Sequence, residues 1–455
     1  MTGIERRSVF SLAFLYATRM LGLFMVLPVF VIYGQELEGA TDLLIGFAIG
    51  AYGLSQALFQ IPFGALSDRY GRKKLIAIGL LLFFVGSVFA AAADNIYGVI
   101  LGRFLQGSGA IASVLMALLS DLTSEQSRTK AMAMVGMSIG VSFSVALVVG
   151  PVIAQWSGLA GIFWVTAALA LFGMVWLVTF VPTPVQSFKN RDTRVFKDQL
   201  FEVIKNKELL RLDFGIFILH MSLTAMFIAV PYSLLEQVKM PASDHWWVYL
   251  TVMLLSFFAM VPFIIVGEKK RKMKAVFIFA IGLLGLASLS ALWTDGWFIG
   301  FWFSLFFFFM AFNLLEASLP SLVSKLSPAG SKGTAMGLYS TSQFMGAFVG
   351  GVAGGVIMSI HDLAGVYTFV SLSAFVWCIA AYSMRNPSTE TGMTLSFEKN
   401  YDARRAQEIL SLFSGVKGVE EVVAIPGENL AYLKVVKAEL DVAELDRLKL
   451  KFDGV

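Results

Sequence analysis

From about residue 8 the chain alternates long apolar runs with short breaks of glycine, proline and charge. A helix needs roughly 20 apolar residues to cross a hydrocarbon layer about 30 Å thick. Windows of that length fall near 8–33, 44–66, 74–93, 97–120, 131–155 and 159–181. After a polar stretch, six more follow near 212–234, 246–267, 274–293, 297–322, 333–360 and 363–384. The pattern predicts an all-α membrane protein with 12 transmembrane helices in two six-helix halves, 1–181 and 211–384, joined by a linker at 182–210. The first run follows Arg6 and Arg7, exceeds a signal peptide's 7–15-residue apolar region and lacks a small-residue cleavage site, so it is expected to stay attached.

A second linker, 385–394, leads into 395–455, where the periodicity becomes that of a soluble α+β domain. Strand 394–398, helix 402–413, strands 419–425 and 430–437 about a Pro426-Gly427-Glu428-Asn429 turn, helix 441–449 and a short last strand give the βαββαβ order of a ferredoxin-like fold.

Composition sharpens this picture. Hydrophobic residues make up 57% of the chain and charged ones 15%, with a mean hydropathy of +0.75, whereas soluble domains carry about 25% charged residues. A soluble enzyme is excluded, and no nucleophile and base lie at a spacing that would suggest a membrane-embedded one. The single cysteine, Cys378, lies in an apolar run, and His220, His245 and His361 are scattered, so neither a metal site nor a cofactor is expected. The distribution of charge matters more than the net +4. Loops on one side of the predicted spans hold 22 lysines and arginines, and those on the other hold only Lys239. The positive-inside rule then places both termini and the 182–210 linker in the cytoplasm, with a bacterial cytoplasmic (inner) membrane as the expected location.

The halves repeat. A shift of 204 residues aligns Ser120-x-Leu122 with Ser324-x-Leu326, Ser127-Arg128 with Ser331-Lys332, and Ala131-Met132 with Ala335-Met336. It also aligns Gly150 with Gly354 and Leu159-Ala160-Gly161 with Leu363-Ala364-Gly365. Two parallel six-helix repeats suit a transporter that rocks about a substrate held near the midplane. Four-residue spacing of Gly136 and Gly140 in span 5, and of Gly346, Gly350 and Gly354 in span 11, is expected to let helices approach closely.

Between spans 2 and 3 lies Gly64-Ala65-Leu66-Ser67-Asp68-Arg69-Tyr70-Gly71-Arg72-Lys73-Lys74. It resembles the loop signature of the major facilitator superfamily, G-x-L-A/S-D-R/K-x-G-R/K-R/K, at every constrained position. Arg103-Phe104-Leu105-Gln106-Gly107-Ser108-Gly109 in span 4 is similar to that family's R-x-x-Q-G-x-G element. Leu21-Gly22 ahead of Pro28 matches span 1 of its drug:proton antiporters. The resemblance covers about residues 1–384 and implies the MFS fold and secondary active transport. In span 5 Gly150-Pro151 match the antiporter signature, whereas Ala146, Ala154 and Gln155 replace other signature positions. In the second half, Gly267-Glu268-Lys269-Lys270-Arg271-Lys272 keeps charge without an aspartate and reads as a positive-inside anchor.

The resemblance makes Gly64, Asp68, Arg69, Gly71, Arg72, Lys73 and Asp121 the candidate cytoplasmic gate. It implies that Asp68 faces the N-terminus of span 11, Ser331 to Thr334, where the positive end of the helix dipole attracts an anion, and that Arg72 pairs with Asp121. The alternative is that the basic residues here serve topology alone.

Inside the predicted spans charges are few. Arg19 lies about eleven residues into span 1, roughly 16 Å deep, and should face protein or cavity. With Arg103, Phe24, Met25 and Asn313 it is a candidate for the substrate cavity; a structural tie to backbone carbonyls is the competing role for both arginines. An arginine where cation antiporters often carry an acid puts a cationic substrate in doubt. Glu316 in span 10 and His220 in span 7 are the candidate proton carriers, with structural neutralisation and core packing as the alternatives. Of the consecutive Phe306 to Phe309, at most two can face a cavity, because four residues sample every face of a helix.

The tail carries nine basic and eleven acidic residues over 395–455, a poor match for nucleic acid or a membrane surface. Its Gly415-Val416-Lys417-Gly418-Val419 stretch resembles the heavy-metal-associated domain but lacks the C-x-x-C metal loop. Ligand sensing or self-association is its expected role. The sequence as a whole points to proton-coupled efflux of a small amphipathic compound, the partners being that compound, protons and the lipid bilayer. A symporter, a facilitator or a sensor built on a transporter fold are the alternatives.

Overall fold

The computed structural model describes residues 1–183, 200–270, 272–328, 331–384, 390–397, 400–427, 429–436 and 439–453. Most of the 182–210 linker, part of the 385–394 linker, Arg271 and Glu428 therefore lie outside the described residues. The chain divides into two compact units. The first comprises Met1–Arg191, Asp213–Ala317 and Ser340–Ser383, and the second Asp192–Leu212, Ser318–Tyr339 and Met384–Val455.

The first unit is helical. Helix α1 (Gly3–Phe24) opens with a capping box between Thr2 and Glu5, and a short α2 (Phe30–Tyr33) follows. Helix α3 (Asp42–Tyr70) is capped by the Thr41 side chain, which accepts from the Leu44 N–H. It ends at Gly71, whose φ of 98° gives glycine a specific purpose at this sharp turn into α4 (Arg72–Ala91). Then come α5 (Ile96–Ser108), α6 (Ala112–Asp121) and α7 (Glu125–Thr179). The remaining long helices, of which α8, α11 and α12 carry residues of both units, are α8 (Lys207–Tyr232), α9 (His245–Lys269), α10 (Met273–Ser290), α11 (Phe298–Leu326) and α12 (Lys332–Tyr382). Among the described residues, nine helical stretches are long and apolar enough to cross a membrane. Helix α1, which carries Glu5, Arg6, Arg7 and Arg19, is not among the nine.

Two of these helices contain a break. Helix α7 has 55 residues, which at 1.5 Å per residue is far longer than a ~30 Å core. It breaks at Gly158 (φ 62°, ψ −164°). Helix α12, with 51 residues, breaks at Asp362 (φ 54°, ψ −159°). These positions are 204 residues apart (362 − 158), the offset that also relates the sequence repeats.

The helix predicted over 97–120 is interrupted: Gly109 leaves helical geometry (φ −74°, ψ 58°) between α5 and α6. A tight crossing accompanies the interruption, since a Cβ on Gly109 would meet the backbone of Gly79.

The glycine expectation holds for one half. Gly350 of α12 abuts the Met221 carbonyl of α8, and a Cβ on Gly354 would lie 3.1 Å from the Ala225 Cα. Gly136 and Gly140 of α7 face open space instead. The α7 face equivalent to Gly346, Gly350 and Gly354 under the 204 offset is Ser142, Ala146 and Gly150, all buried. Gly150 sits against the Met25 backbone carbonyl. Gly136 precedes Ser142 by six residues, about 240° around the helix, so it presents another face.

Helices α3 and α12 touch backbone to backbone. A Cβ on Gly351 would lie 2.6 Å from the Gly46 carbonyl, and one on Gly50 or Gly53 would lie 2.8 Å or 2.6 Å from the carbonyls of Phe348 or Phe344. Close by in sequence, the Gln35 amide donates to Asp42 Oδ1 (2.8 Å) and to the Tyr232 hydroxyl (2.5 Å).

In the second unit the tail forms a three-stranded antiparallel sheet with order β1-β3-β2, where β1 is Glu390–Ser396, β2 Val419–Ala424 and β3 Leu430–Val436. Helices α13 (Ala403–Phe413) and α14 (Val442–Asp453) belong to the same tail. Alternate β3 residues, Ala431, Leu433 and Val435, enter a core with Leu395, Ile409, Phe413 and Leu445. The predicted last strand is not found among the described residues. Helix α14 instead runs to Asp453, because Leu445, Leu448 and Phe452 keep helical spacing onto the core, and the Phe452 ring stands 4.9 Å from that of Phe397.

Candidate functional site

The gate motif occupies the α3–α4 corner. Arg72 is its hub. Its Nη1 pairs with Asp68 and donates to Ser67 Oγ at 2.6 Å, and its Nε donates to Asp121 Oδ2 at 3.1 Å. Ser67 Oγ in turn donates to the Gly64 carbonyl at 2.6 Å, fixing the motif's first glycine to its middle. The Arg72 and Asp121 side chains are 19% and 20% exposed, whereas Asp68 is 55% exposed. The Arg72–Asp121 contact therefore ties α4 to the end of α6 within a largely desolvated pair, while Asp68 keeps an open side. Lys73 Nζ donates to the Val181 carbonyl at 2.8 Å, and Arg69 lies over the Tyr70 ring. In the second unit, Ser331 donates its hydroxyl to Glu202 of the helical segment 200–205 at 3.0 Å.

A second tie secures the N-terminus. Glu5 accepts from the Ser124 N–H (2.8 Å), the Thr2 N–H (2.7 Å) and the Ser127 hydroxyl (3.3 Å). Hydrogen bonding by Ser124 above all, with a further contribution from Thr2, holds this carboxyl down at about 2, against an ordinary 4.5.

The two candidate proton carriers come together. His220 of α8 and Glu316 of α11 approach to 3.9 Å, between Nδ1 and Oε2. Gln343 of α12 joins them: its amide nitrogen lies 2.8 Å from His220 Nε2 and donates to Glu316 Oε1 at 3.3 Å. If the amide donates to Nε2, the His220 proton sits on Nδ1, the nitrogen nearer the carboxylate. Side chains of three helices thus meet in one cluster, in which His220 Nδ1 and Glu316 Oε2 face each other without a hydrogen bond. The Phe312 ring stands 5.9 Å from His220, and Phe143 reaches Phe312, Phe227 and Phe24 at 6.1, 6.3 and 4.9 Å. Sequence reasoning missed Gln343; the available signal was an amide within a run of serine, threonine and glycine in span 11.

The substrate-cavity candidates divide. Phe24 joins the aromatic cluster through Phe143. Met25 is fully buried. Asn313 donates to Ser256 Oγ at 3.1 Å. Arg103 is buried over the Tyr52 ring, and its Nη1 donates to Gln106 Oε1 at 2.9 Å. Arg19 is 2% exposed, and its Nη2 donates to Gln56 Oε1 (3.0 Å) and to the Gly109 carbonyl (2.7 Å). Gly150 and Pro151 of the span-5 motif are both buried in α7. No group of three or more metal-ligating side chains occurs among the described residues.

A helical membrane bundle with an intact loop signature defines a class, and the chain belongs to the Major Facilitator Superfamily, whose profile matches residues 12–350 and 212–415. It is a transporter rather than an enzyme. It is similar to the inner membrane transport protein YajR of Escherichia coli (strain K12), at 48% identity over 438 residues, covering 96% of this chain and 95% of the relative. The quinolone resistance protein NorA of Staphylococcus aureus (strain MSSA476) is 24% identical over 373 residues, 81% of this chain and 94% of NorA. Among solved structures, a D-xylose-proton symporter superposes with a TM-score of 0.68 at 15% identity, covering 84% of this chain and 99% of that one, a likeness of fold.

Proposed function

We propose that the chain is a proton-coupled antiporter that exports a small amphipathic compound by alternating access. The observation that carries this reading is the His220–Gln343–Glu316 cluster, where side chains from α8, α11 and α12 bring two titratable groups together within the bundle. Coupling requires a group that changes charge within the membrane, and a carboxylate next to a histidine meets that need. The clustered Phe143, Phe227 and Phe312 supply apolar surface beside it for an amphipathic compound.

In this reading the breaks at Gly158 and Asp362 divide α7 and α12 into two spans each and α5 with α6 forms one, giving 12 spans in two six-helix halves with both termini in the cytoplasm. The inner membrane location follows the relative's printed description. The α3–α12 glycine contact then lies at the outer side, and the Arg72 hub with Asp68 is the cytoplasmic gate. The tail, residues 395–455, is read as a ferredoxin-like module for ligand sensing or self-association, on the strength of its β1-β3-β2 order and two helices.

The test is flux from right-side-out proteoliposomes loaded with a compound found by stabilisation screening. External acid should accelerate exit, and Glu316→Gln should abolish that acceleration. Exit driven by internal acid would replace antiport with symport. Acceleration that survives in Glu316→Gln would remove this carboxylate as the carrier.

A further inference from the structure

Arg19 holds more hydrogen-bonding capacity than the protein satisfies. Its guanidinium is 2% exposed and stands 5.6 Å from the centre of the Phe83 ring. Nη2 is engaged by Gly109 and Gln56, but Nε and Nη1 are buried without any hydrogen-bond partner. Among the described residues no carboxylate pairs with it. An arginine at mid-membrane depth with two free donors and no counter-ion is an expensive arrangement.

The carbonyl that Arg19 does engage belongs to the interruption between α5 and α6. Helix α6, ten residues long, begins three residues later at Ala112, and its N-cap residue Ile111 offers no side-chain hydrogen bond. The first N–H groups of a helix lack intrahelical acceptors and carry the positive end of its dipole. The guanidinium that holds the free donors is thus anchored, through Nη2, at the interruption that precedes a helix N-terminus.

We infer that this interruption, with Arg19, binds the anionic head group of the transported compound, a carboxylate, sulfonate or phosphate. Nε and Nη1, on different edges of the guanidinium, each keep a charge-assisted donor for an oxygen of such a group, and the start of α6 contributes backbone donors. Gln56, held by Gln60 at 2.8 Å and accepting from Nη2, keeps the guanidinium plane in register. This inference rests on the transport reading and narrows its amphipathic compound to an organic anion.

The experiment uses the purified full chain in detergent at fixed ionic strength and pH. Its thermal midpoint is followed against benzoate, benzenesulfonate and phenylphosphate, with benzamide and benzylamine as neutral and cationic counterparts and inorganic phosphate as the free anion. The acids should raise the midpoint while the amide, the amine and inorganic phosphate leave it in place. Arg19→Gln should weaken the apparent affinity for the acids about 10- to 100-fold, the range expected for lost charge-assisted hydrogen bonds. Arg19→Lys, which keeps the charge but not the planar array of donors, should fall between. Stabilisation by benzamide or benzylamine equal to that by benzoate overturns the inference on the unmodified protein alone, whether or not Arg19→Gln folds. So does an undiminished acid response in Arg19→Gln, or inorganic phosphate acting as strongly as phenylphosphate. Counterflow in proteoliposomes separates the two readings. Acids that stabilise through Arg19 yet never exchange leave the site standing and overturn transport. Exchange of benzylamine but of none of the acids leaves transport standing and overturns the site.

Discussion

Gly351→Ala tests the outer seal. The added methyl group would lie 2.6 Å from the Gly46 carbonyl, 2.9 Å from the Gly50 nitrogen and 3.1 Å from the Gly50 Cα. Ordinary contact begins near 3.4 Å, so α3 and α12 must part by roughly 0.8 Å (3.4 − 2.6) where both neighbours are backbone and neither can rotate away. Overpacking of this kind costs about 1–3 kcal/mol. The penalty falls only on the state in which these helices touch. The gain of about 1 kcal/mol in helix propensity from glycine to alanine applies to every state in which α12 is helical, and cancels. The sealed population should therefore drop by about 5- to 150-fold relative to the open one. Spin labels at Glu36→Cys and Lys239→Cys, in a Cys378→Ser background, report this through pulsed dipolar distances. Gly351→Ala should move weight to the longer separation. Gly136→Ala, at a site with nothing within 4 Å, should not. An unchanged distance distribution in Gly351→Ala, or an equal shift in Gly136→Ala, refutes the reasoning.

Asp68→Asn removes a charge that pairs with Arg72 while leaving the Arg72–Asp121 contact in place, so membrane insertion should persist and transport should fall about tenfold or more. Flux equal to the parent's would overturn the gate assignment. Glu5 gives a pH-dependent outcome: its folded-state value of about 2 lies below the ordinary 4.5, so its stabilisation is fully present above 4.5 and is lost as pH falls towards 2. The thermal midpoint of Glu5→Gln should accordingly trail the parent's at neutral pH and converge on it as the medium is acidified through that interval; a constant gap would show that the carboxylate's charge is not what matters.

Much of the bundle was readable because lipid-spanning helices are written as long apolar windows, and the gate because its signature constrains eight of the ten positions from Gly64 to Lys73. Arg72 and Asp121 could be matched because each lies at a predicted helix end on the same side. The α5–α6 interruption was not readable: Gly109 is one of several glycines in this span with neither proline nor charge beside it, and its contacts with Arg19 and Gly79 are long-range. The packing face of α7 was misassigned through Gly136 and Gly140 although the repeat held the answer, since their equivalents at offset 204 are Ser340 and Phe344 rather than Gly346, Gly350 or Gly354. Gln343 escaped because an uncharged amide among Ser340, Thr341 and Ser342 is a weak signal until its neighbours on α8 and α11 are known. The tail's final strand was overcalled because Phe452, read as part of an extended segment, instead closes a helical turn onto Phe397.

The single-residue breaks at Gly158 and Asp362 leave the flanking helices no slack. A flexible loop would let its two arms slide independently, whereas a one-residue elbow transmits torque from one arm to the other. In the proposed alternating-access cycle the two arms of each broken helix would then turn together rather than independently. Asp362, a non-glycine residue held at φ 54°, pays about 1–3 kcal/mol in backbone strain for that stiffness.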